Sequence, residues 1–360
     1  MKIGIIGLSN SGKTTVFNAL TGQNLETTIY PTTSGEPNVG VVKVPDSRLD
    51  RLSAIYKPNK TTYATVEYID YIGLTKGDVN QNRKVFDLIK DVDAIAHVVR
   101  AFEDVAVAHP MNTVNPLRDI ETVEIELIFG DFELVEKRLH KIEEASKKGK
   151  RPDEAENRLL LKCKDALEKE IPLRNVDFIE EEKKAMRPLQ FVSTKPEVVV
   201  LNIGEDALNT DREKDLLNEV EGYFQSRYRI LSLCGKIEME IARLSPEDAK
   251  PFLDDLGIEE PALSKLIHVC YDVLGLISFF TYVGDEVRAW TITKGTNALK
   301  AAGKIHSDIE RGFIKAEVVS FEDFLSSGSV HAAKEKGLLR LEGKTYRVKD
   351  GDIVNFRFHV

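Results

Sequence analysis

Disulfide chemistry has little to work with in this chain. Its three cysteines, Cys163, Cys234 and Cys270, are too few and too scattered for a bridged framework or a zinc site. A reducing, cytoplasmic setting is therefore expected. No stretch approaches the ~20 apolar residues of a membrane helix. The apolar start "MKIGIIGL" is too short for a signal peptide and lacks a cleavage region, so no membrane partner is expected. Positive charge is not in excess either. A net charge of −9 argues against binding nucleic acid over the whole surface, DNA included, while leaving local basic patches open. No Ser-His-Asp, His-Glu-x-x-His or Cys-rich metal spacing is present to support other enzymology. What remains is an ordinary soluble composition, 42% hydrophobic and 30% charged, in 360 residues. That length accommodates two or three structural units.

The first positive signal is at the N-terminus. "KIGII" (2–6) reads as a buried strand and "KTTVFNALTG" as a helix ending at Gly22. Between them "GLSNSGKT" has Gly7, four residues, then Gly12, Lys13 and Thr14, a phosphate loop in its proper strand-to-helix context. The glycines allow backbone N–H groups to approach phosphate oxygens. Lys13 reaches the β and γ phosphates, and the Thr14 hydroxyl completes the octahedral shell of Mg²⁺. Asn10, Ser11 and Thr15 are counted with this nucleotide-binding set. The chain is expected to bind a nucleoside triphosphate.

Two further stretches narrow the class. "ATVEYIDYIGL" (64–74) alternates as a strand and ends in Asp70-x-x-Gly73. There a carboxylate can hold Mg²⁺ through water, and the Gly73 amide can sense the γ-phosphate. The Ser/Thr-rich segment "YPTTSGEPN" (30–38) lies between this stretch and the phosphate loop, as in a switch NTPase. A Ras-like protein would follow Gly73 with a water-orienting Gln. Here the residue is Leu74, which cannot hydrogen-bond water.

The stretches "GLSNSGKTT", "EPNVGVV", "DYIGL", "DAIAHVVRAFED", "LNIGED", "FFTYVGDEVRAWTITKGTNALKAAGKIHSDIERGFIKAEV" and "YRVKDGDIVNFRF" span nearly the whole chain. Together they resemble the YchF family, Obg-related P-loop ATPases with a C-terminal TGS domain. The resemblance implies an ATP-preferring NTPase associated with the ribosome or ribosomal RNA, with a hydrophobic residue in place of the catalytic Gln. It implies Lys13, Gly73 and Asn10 as catalytic positions and Thr14, Ser34 and Asp70 around Mg²⁺. Asn10 matches the phosphate-loop asparagine of relatives that recruit potassium, which makes K⁺ a candidate second cation. Cys234 and Gly235 join Asn202, Ile203 and Glu205 in the nucleotide-binding set.

In "LNIGED" (201–206) the guanine-reading pattern Asn-Lys-x-Asp is altered, with Ile203 and Glu205 in the variant slots. The carboxylate of the guanine pattern accepts from a ring N–H and an amino group, whereas adenine offers an unprotonated nitrogen there. Glu205 is one methylene too long for that role. Asn202 is expected to pair with adenine and Ile203 to lie along the base. GTP is then the weaker ligand. The chain departs from its family in the first switch, where Ser34 and Gly35 follow Thr32 and Thr33, and in "GLTKGDVNQNRKVF", which replaces a glycine-rich run.

Residues 116–149 and about 152–170 carry helical periodicity, which predicts an antiparallel hairpin with a charged outer face. Over 131–190 there are fifteen acidic and fifteen basic residues, yet Lys147, Lys148, Lys150 and Arg151 cluster at the turn. That basic tip is either a solvated loop or a phosphate contact. From about 277, short strands alternate with one helical stretch. This part carries thirteen Lys/Arg against eleven Asp/Glu. Trp290 and His306 are read there as structural. The expected architecture is α/β: a P-loop NTPase (Ras-like G domain) over 1–276, interrupted by a helical arm at about 116–190. A β-grasp TGS domain is expected over 277–360. Three readings stay open: a slow ribosome-associated ATPase, a GTP-dependent switch that tolerates Glu205, and a nucleotide-bound adaptor that hydrolyses nothing.

Overall fold

The computed structural model describes residues 1–25, 36–149, 151, 153–225 and 227–359. Among them are twelve strands: β1 (Lys2–Ile6), β2 (Asn38–Lys43), β3 (Lys60–Thr62), β4 (Thr65–Asp70), β5 (Ala94–Ala101), β6 (Glu197–Ile203), β7 (Arg229–Leu233), β8 (Leu276–Val283), β9 (Glu286–Thr293), β10 (Phe313–Ser320), β11 (Arg340–Glu342) and β12 (Asp352–Phe358). They form two six-stranded sheets, in the orders β2-β4-β1-β5-β6-β7 and β11-β10-β12-β8-β9-β3.

In the first sheet β1 pairs in parallel with β4 and β5, and β6 in parallel with β5 and β7. Every residue of β6, "EVVVLNI", is buried. The apolar run at 198–201 within it suits a parallel strand covered on both faces. Helix α1 (Lys13–Thr21) follows β1 and stops at Gly22 in the left-handed region, as the sequence predicts. The carboxyl ends of β1, β4, β5 and β6 therefore open at one edge, where an α/β sheet places its ligand.

The arm is present. After helices α2 (Ser47–Tyr56) and α3 (Val79–Ile89), α4 (Pro116–Lys147) runs for 32 residues, and α5 (Glu154–Glu168) packs back on it. Asn115 caps α4 by accepting the Arg118 N–H, and Pro116 occupies the first turn, where its missing donor costs nothing. Of the basic tip, Lys147 pairs with Glu143 at 2.7 Å, and Lys150 lies outside the described residues.

The expectation of a charged outer face fails at the root of α4. Asp119, Glu124, Glu126 and Asp131 are all buried there, and each fastens a different segment. Asp119 accepts from His109 Nε2 at 2.8 Å, and Glu124 accepts from Arg174 at 2.8 Å. Glu126 holds Gly77, and Asp131 accepts the Val192 and Ser193 amides at 2.9 and 2.7 Å. A buried acid without such partners would cost several kcal/mol (~3 or more). Periodicity alone does not separate a solvated charge from a partnered one.

The expected division at 276/277 also differs from the packing. One compact unit comprises Met1–Val41 with Glu67–Leu266, and the other comprises Val42–Val66 with Ile267–Val360. In the second unit β3 pairs in parallel with β9, from Lys60↔Glu286 to Thr62↔Arg288. Arg48 bridges Asp46 and Asp350, and Tyr56 stacks on Tyr282 at 3.9 Å. β8 and β9 form a hairpin whose two-residue turn starts at Gly284, φ 63°. β12 lies between β10 (antiparallel) and β8 (parallel). Ala298, Ala301 and Ala302 press a short helix (Ala298–Ile305) onto this sheet, an arrangement compatible with a β-grasp. The single helical stretch expected here is broken at His306, whose ring caps the following turn by accepting the Asp308 N–H. Two further short helices, Phe321–Ser327 and Val330–Glu335, were not expected. Trp290 packs against the core and donates to Thr281 Oγ1.

Burial pushes the Glu124 carboxyl up to about 7, against the opposing pull of Arg174. Between the ordinary value of 4.5 and about 7 the folded state holds a proton that the unfolded chain has lost. This contribution to stability is complete below the lower value and is lost as pH rises through the upper one. Between pH 5 and 8 the wild-type melting temperature should fall by about 3 °C more than that of Glu124→Gln. Thermal melts of both proteins at the two pH values check this.

Candidate nucleotide-binding site

The loop after β1 is shaped by backbone geometry that side chains would block. At Gly7, φ 150°, an added Cβ would lie 2.2 Å from the Val98 carbonyl oxygen of β5. At Gly12, φ 92°, it would lie 2.1 Å from Asn202 Nδ2. Asn10 between them is also left-handed, at φ 62°. No side chain caps α1, so its first-turn N–H groups remain available to an anion. Ser11 Oγ is buried without a hydrogen-bond partner among the described residues.

Lys13 is buried, and its ammonium donates to the Leu8 carbonyl at 2.8 Å. Burial lowers its pKa to about 8, with Asp70 opposing. Thr14 Oγ1 donates to Asp70 Oδ2 at 2.8 Å at the end of β4. Burial raises the Asp70 carboxyl, while Lys13, Thr14 and Asn38 favour its charged form. Its second oxygen, Oδ1, has no hydrogen-bond partner of proper geometry among the described residues. A hydroxyl beside a buried, half-satisfied carboxylate is an oxygen donor set suited to Mg²⁺. Ser34, Thr32 and Thr33 lie outside the described residues.

Gly73 crosses directly over this loop. An added Cβ would sit 2.7–2.8 Å from three atoms of Ser9, so only glycine fits. The Leu74 N–H donates to the Gly7 carbonyl at 2.9 Å and fixes the crossing. Leu74 itself is fully buried, packed with Ile6, Leu8, Val85 and Phe86. Its side chain is a core residue below the site, not an inert neighbour of the attacking water.

At the base end two of the expected base-reading side chains are engaged with the protein itself. Asn202 is buried, its Nδ2 donating to the Ser11 carbonyl and its Oδ1 accepting the Gly235 N–H, both at 3.0 Å. Adenine pairing would require both bonds to break, so in this structure Asn202 ties the phosphate loop to the loop at 234–235. Ile203 is also buried, with Ala207, Cys234, Ile237 and Ile241, and is core instead of a wall along the base. Cys234 is buried beside it, and Thr15 lies close to Gly235. Glu205 alone of this group is half exposed, paired with Lys236 at 2.6 Å.

Sequence reasoning missed Lys236 and the loop after β5. Arg100 is buried, donates to the carbonyls of Phe102, Asp104 and Val107, and lies over the Phe102 ring. Phe102 in turn approaches Gly12. Asn10 Nδ2 donates to the Ala108 carbonyl at 2.9 Å, which ties this loop to the phosphate loop. The available signal is an arginine near the end of the largely apolar strand "AIAHVVRA".

Comparison with known proteins agrees with this geometry. Residues 2–129 match a family described as 50S ribosome-binding GTPase. Residues 276–359 match the YchF GTPase C-terminal family, described as a protein of unknown function (DUF933). The chain is 43% identical to the ribosome-binding ATPase YchF of Bacillus subtilis (strain 168), covering 99% of both chains. It is 41% identical to the protein of the same name from Escherichia coli O157:H7, covering 100% of this chain and 99% of that one. The Schizosaccharomyces pombe YchF GTPase structure superposes with a TM-score of 0.84 at 29% identity, covering 99% of this chain and 97% of that chain. A GTP binding protein from Pyrococcus horikoshii OT3 shares the fold, with a TM-score of 0.62 at 20% identity over the full length of both chains.

Two outcomes follow from the site. Lys13→Ala should weaken triphosphate binding by about 2 kcal/mol, about thirtyfold, while leaving the melting temperature at or above that of the wild type. Calorimetric titration and a thermal melt check the pair. Leu74→Ala opens a core cavity and should cost about 3 kcal/mol in urea unfolding. Turnover of the folded enzyme should stay within about tenfold, ~1.4 kcal/mol of barrier.

Proposed function

The chain belongs to the YchF family, and from that premise we propose that it is a slow, Mg²⁺-dependent ATPase acting in the cytoplasm on the ribosome. The observation that carries the reading is the convergence of Lys13, Thr14 and Asp70 under a glycine-shaped loop at the start of α1. Lys13 exchanges the Leu8 carbonyl for phosphate oxygens. Thr14 and Asp70 would hold Mg²⁺, which when bound supplies positive charge to the phosphates during transfer to water. The Gly73 amide is presented to the terminal phosphate by its crossing over Ser9. Leu74 contributes no hydrogen bond to water, and low turnover is the consequence.

Preference for ATP rests on Glu205. Guanine would need a free carboxylate to accept its ring N–H and amino group, and here Lys236 already holds that carboxylate. Left unpaired, those guanine donors would lose ~1–3 kcal/mol. Adenine makes no such demand. The buried Asn202 amide shapes the site instead of reading the base. A role for K⁺ beside Asn10 would have to be compatible with its bond to Ala108, and faster turnover in potassium than in sodium would support it. The C-terminal unit is read as a TGS domain. Lys147, Lys148 and Arg151 at the arm tip are read as contacts to ribosomal RNA phosphates.

Titration with ATP and GTP in Mg²⁺ buffer should give at least a tenfold preference for ATP, ~1.4 kcal/mol. Glu205→Asp combined with Lys236→Ala should narrow it by improving GTP binding. Equal affinities in the wild type would sink the adenine reading. Absence of phosphate release would leave a nucleotide-bound adaptor. Neutralising the three tip residues should weaken ribosome co-sedimentation and reduce its salt dependence, with the ATPase rate of the free protein unchanged.

A further inference from the structure

The segment that follows Gly73 is held from a direction the reaction does not require. Glu126, on α4, is buried; its Oε1 accepts the Gly77 N–H at 2.7 Å and its Oε2 accepts Asn82 Nδ2 at 2.8 Å. Asn82, on α3, is fully buried and clamps one residue of the segment from both sides. Its Nδ2 also donates to the Thr75 carbonyl at 2.8 Å, and its Oδ1 accepts the Thr75 N–H at 3.0 Å. The neighbouring Gln81 donates to the Gly73 carbonyl itself at 2.8 Å. On the opposite side the Leu74 N–H is bonded to the phosphate loop at Gly7. Close packing of the helices makes the reach possible: an added Cβ at Gly130, one turn beyond Glu126, would lie 2.8 Å from the Phe86 ring of α3.

We propose that Glu126 is a positioning residue for ATP hydrolysis, which through Gly77, Asn82 and Thr75 fixes the Gly73 amide where the terminal phosphate arrives. This rests on the ATPase reading above. A helix residue satisfying its own charge would need no such target. Glu126 instead supplies both carboxylate oxygens to the backbone and side-chain donors that define this one segment. Because α4 continues unbroken to Lys147, about 32 Å farther along its axis, the arm and the segment share a rigid element.

The donor inventory gives a specific test. In Glu126→Gln one of the two bonds should fail, because the donors meet different oxygens of the carboxylate and the NH₂ that replaces one of them opposes the donor it faces. Asn82 cannot turn over to compensate without losing both bonds to Thr75. Pairing Glu126→Gln with Asn82→Asp restores an amide facing a carboxylate, at the loss of the donor to the Thr75 carbonyl, which then faces a carboxylate oxygen.

Single-turnover hydrolysis, ATP and ADP affinities, and thermal melts would be measured on wild type, Glu126→Gln, Asn82→Asp and the double variant. Each single variant should slow hydrolysis at least tenfold and reduce the preference for ATP over ADP. ADP affinity should stay within about twofold, because ADP carries no terminal phosphate for Gly73. The double variant should recover part of the rate that Glu126→Gln loses. If both single variants melt lower yet hydrolyse ATP at the wild-type rate below their melting temperatures, the carboxylate is only structural and the proposal is overturned. Equal loss of ADP and ATP affinity overturns it too, as does a double variant no faster than the singles. A wild type that releases no phosphate fails the ATPase reading first, and this assignment with it.

Discussion

A lysine ammonium without a carboxylate bond, buried against a backbone carbonyl, is the constraint to which the nucleotide site answers. Lys13 is held at Leu8, with Asp70 near enough to oppose the burial without bonding it. Such an arrangement is tolerable only if the surrounding backbone is rigid, since any relaxation would let the ammonium out to water. The rigidity comes from contacts that admit no alternative residue: Gly7 against Val98, Gly12 against Asn202, Gly73 against Ser9. In the proposed reading, phosphate would satisfy a charge that Leu8 and Asp70 leave under-compensated. The shape of the loop and, in the proposed reading, its affinity for phosphate both follow from one buried cation.

The sequence was most legible where a requirement is local. A glycine that must take a positive φ, a lysine and a threonine at fixed offsets, and an all-apolar strand beside them can be read from adjacent residues, and the fold follows from them. Legibility fell where the deciding partner is far away. Residues 42–66 belong with the C-terminal unit because three residues of β3 pair with β9 and Arg48 meets Asp350, neither of which leaves a periodic trace. Asn202 was assigned to the base because its position in "LNIGED" fits. Its partners, Ser11 and Gly235, come from opposite ends of the domain. An apolar Ile203 suits a wall along the base equally well on sequence grounds, and hydrophobic packing takes it inward.

Buried acids on α4 show the same limit from another side. Helical spacing and charge count describe an exposed arm well beyond Val135, where Arg138 and Glu156 pair in solvent between α4 and α5. Nearer the root the same residue types become fasteners. Asp119, Glu124, Glu126 and Asp131 tie α4 to the loop after β5, to the return from the arm, to the segment after Gly73 and to the start of β6's approach. The root of the arm is thus fixed by charge-assisted hydrogen bonds and its outer half by apolar packing between two helices.

The assignment of residues 42–66 to the C-terminal unit bears on how the chain is made. Lys60–Thr62 find their partners only at Glu286–Arg288, and β12, which holds the sheet together between β10 and β8, is translated later still. At about 5–20 residues per second, β3 and the helix before it wait on the order of 10–45 s for β9 to be translated. The G domain is interrupted by a segment that cannot be seated during that interval, so the early part of the nascent chain carries an unpaired strand and the uncovered face of α2. Strictly vectorial folding from the N-terminus is therefore unavailable to the second sheet, whose earliest strand can be seated only after β9 has been translated.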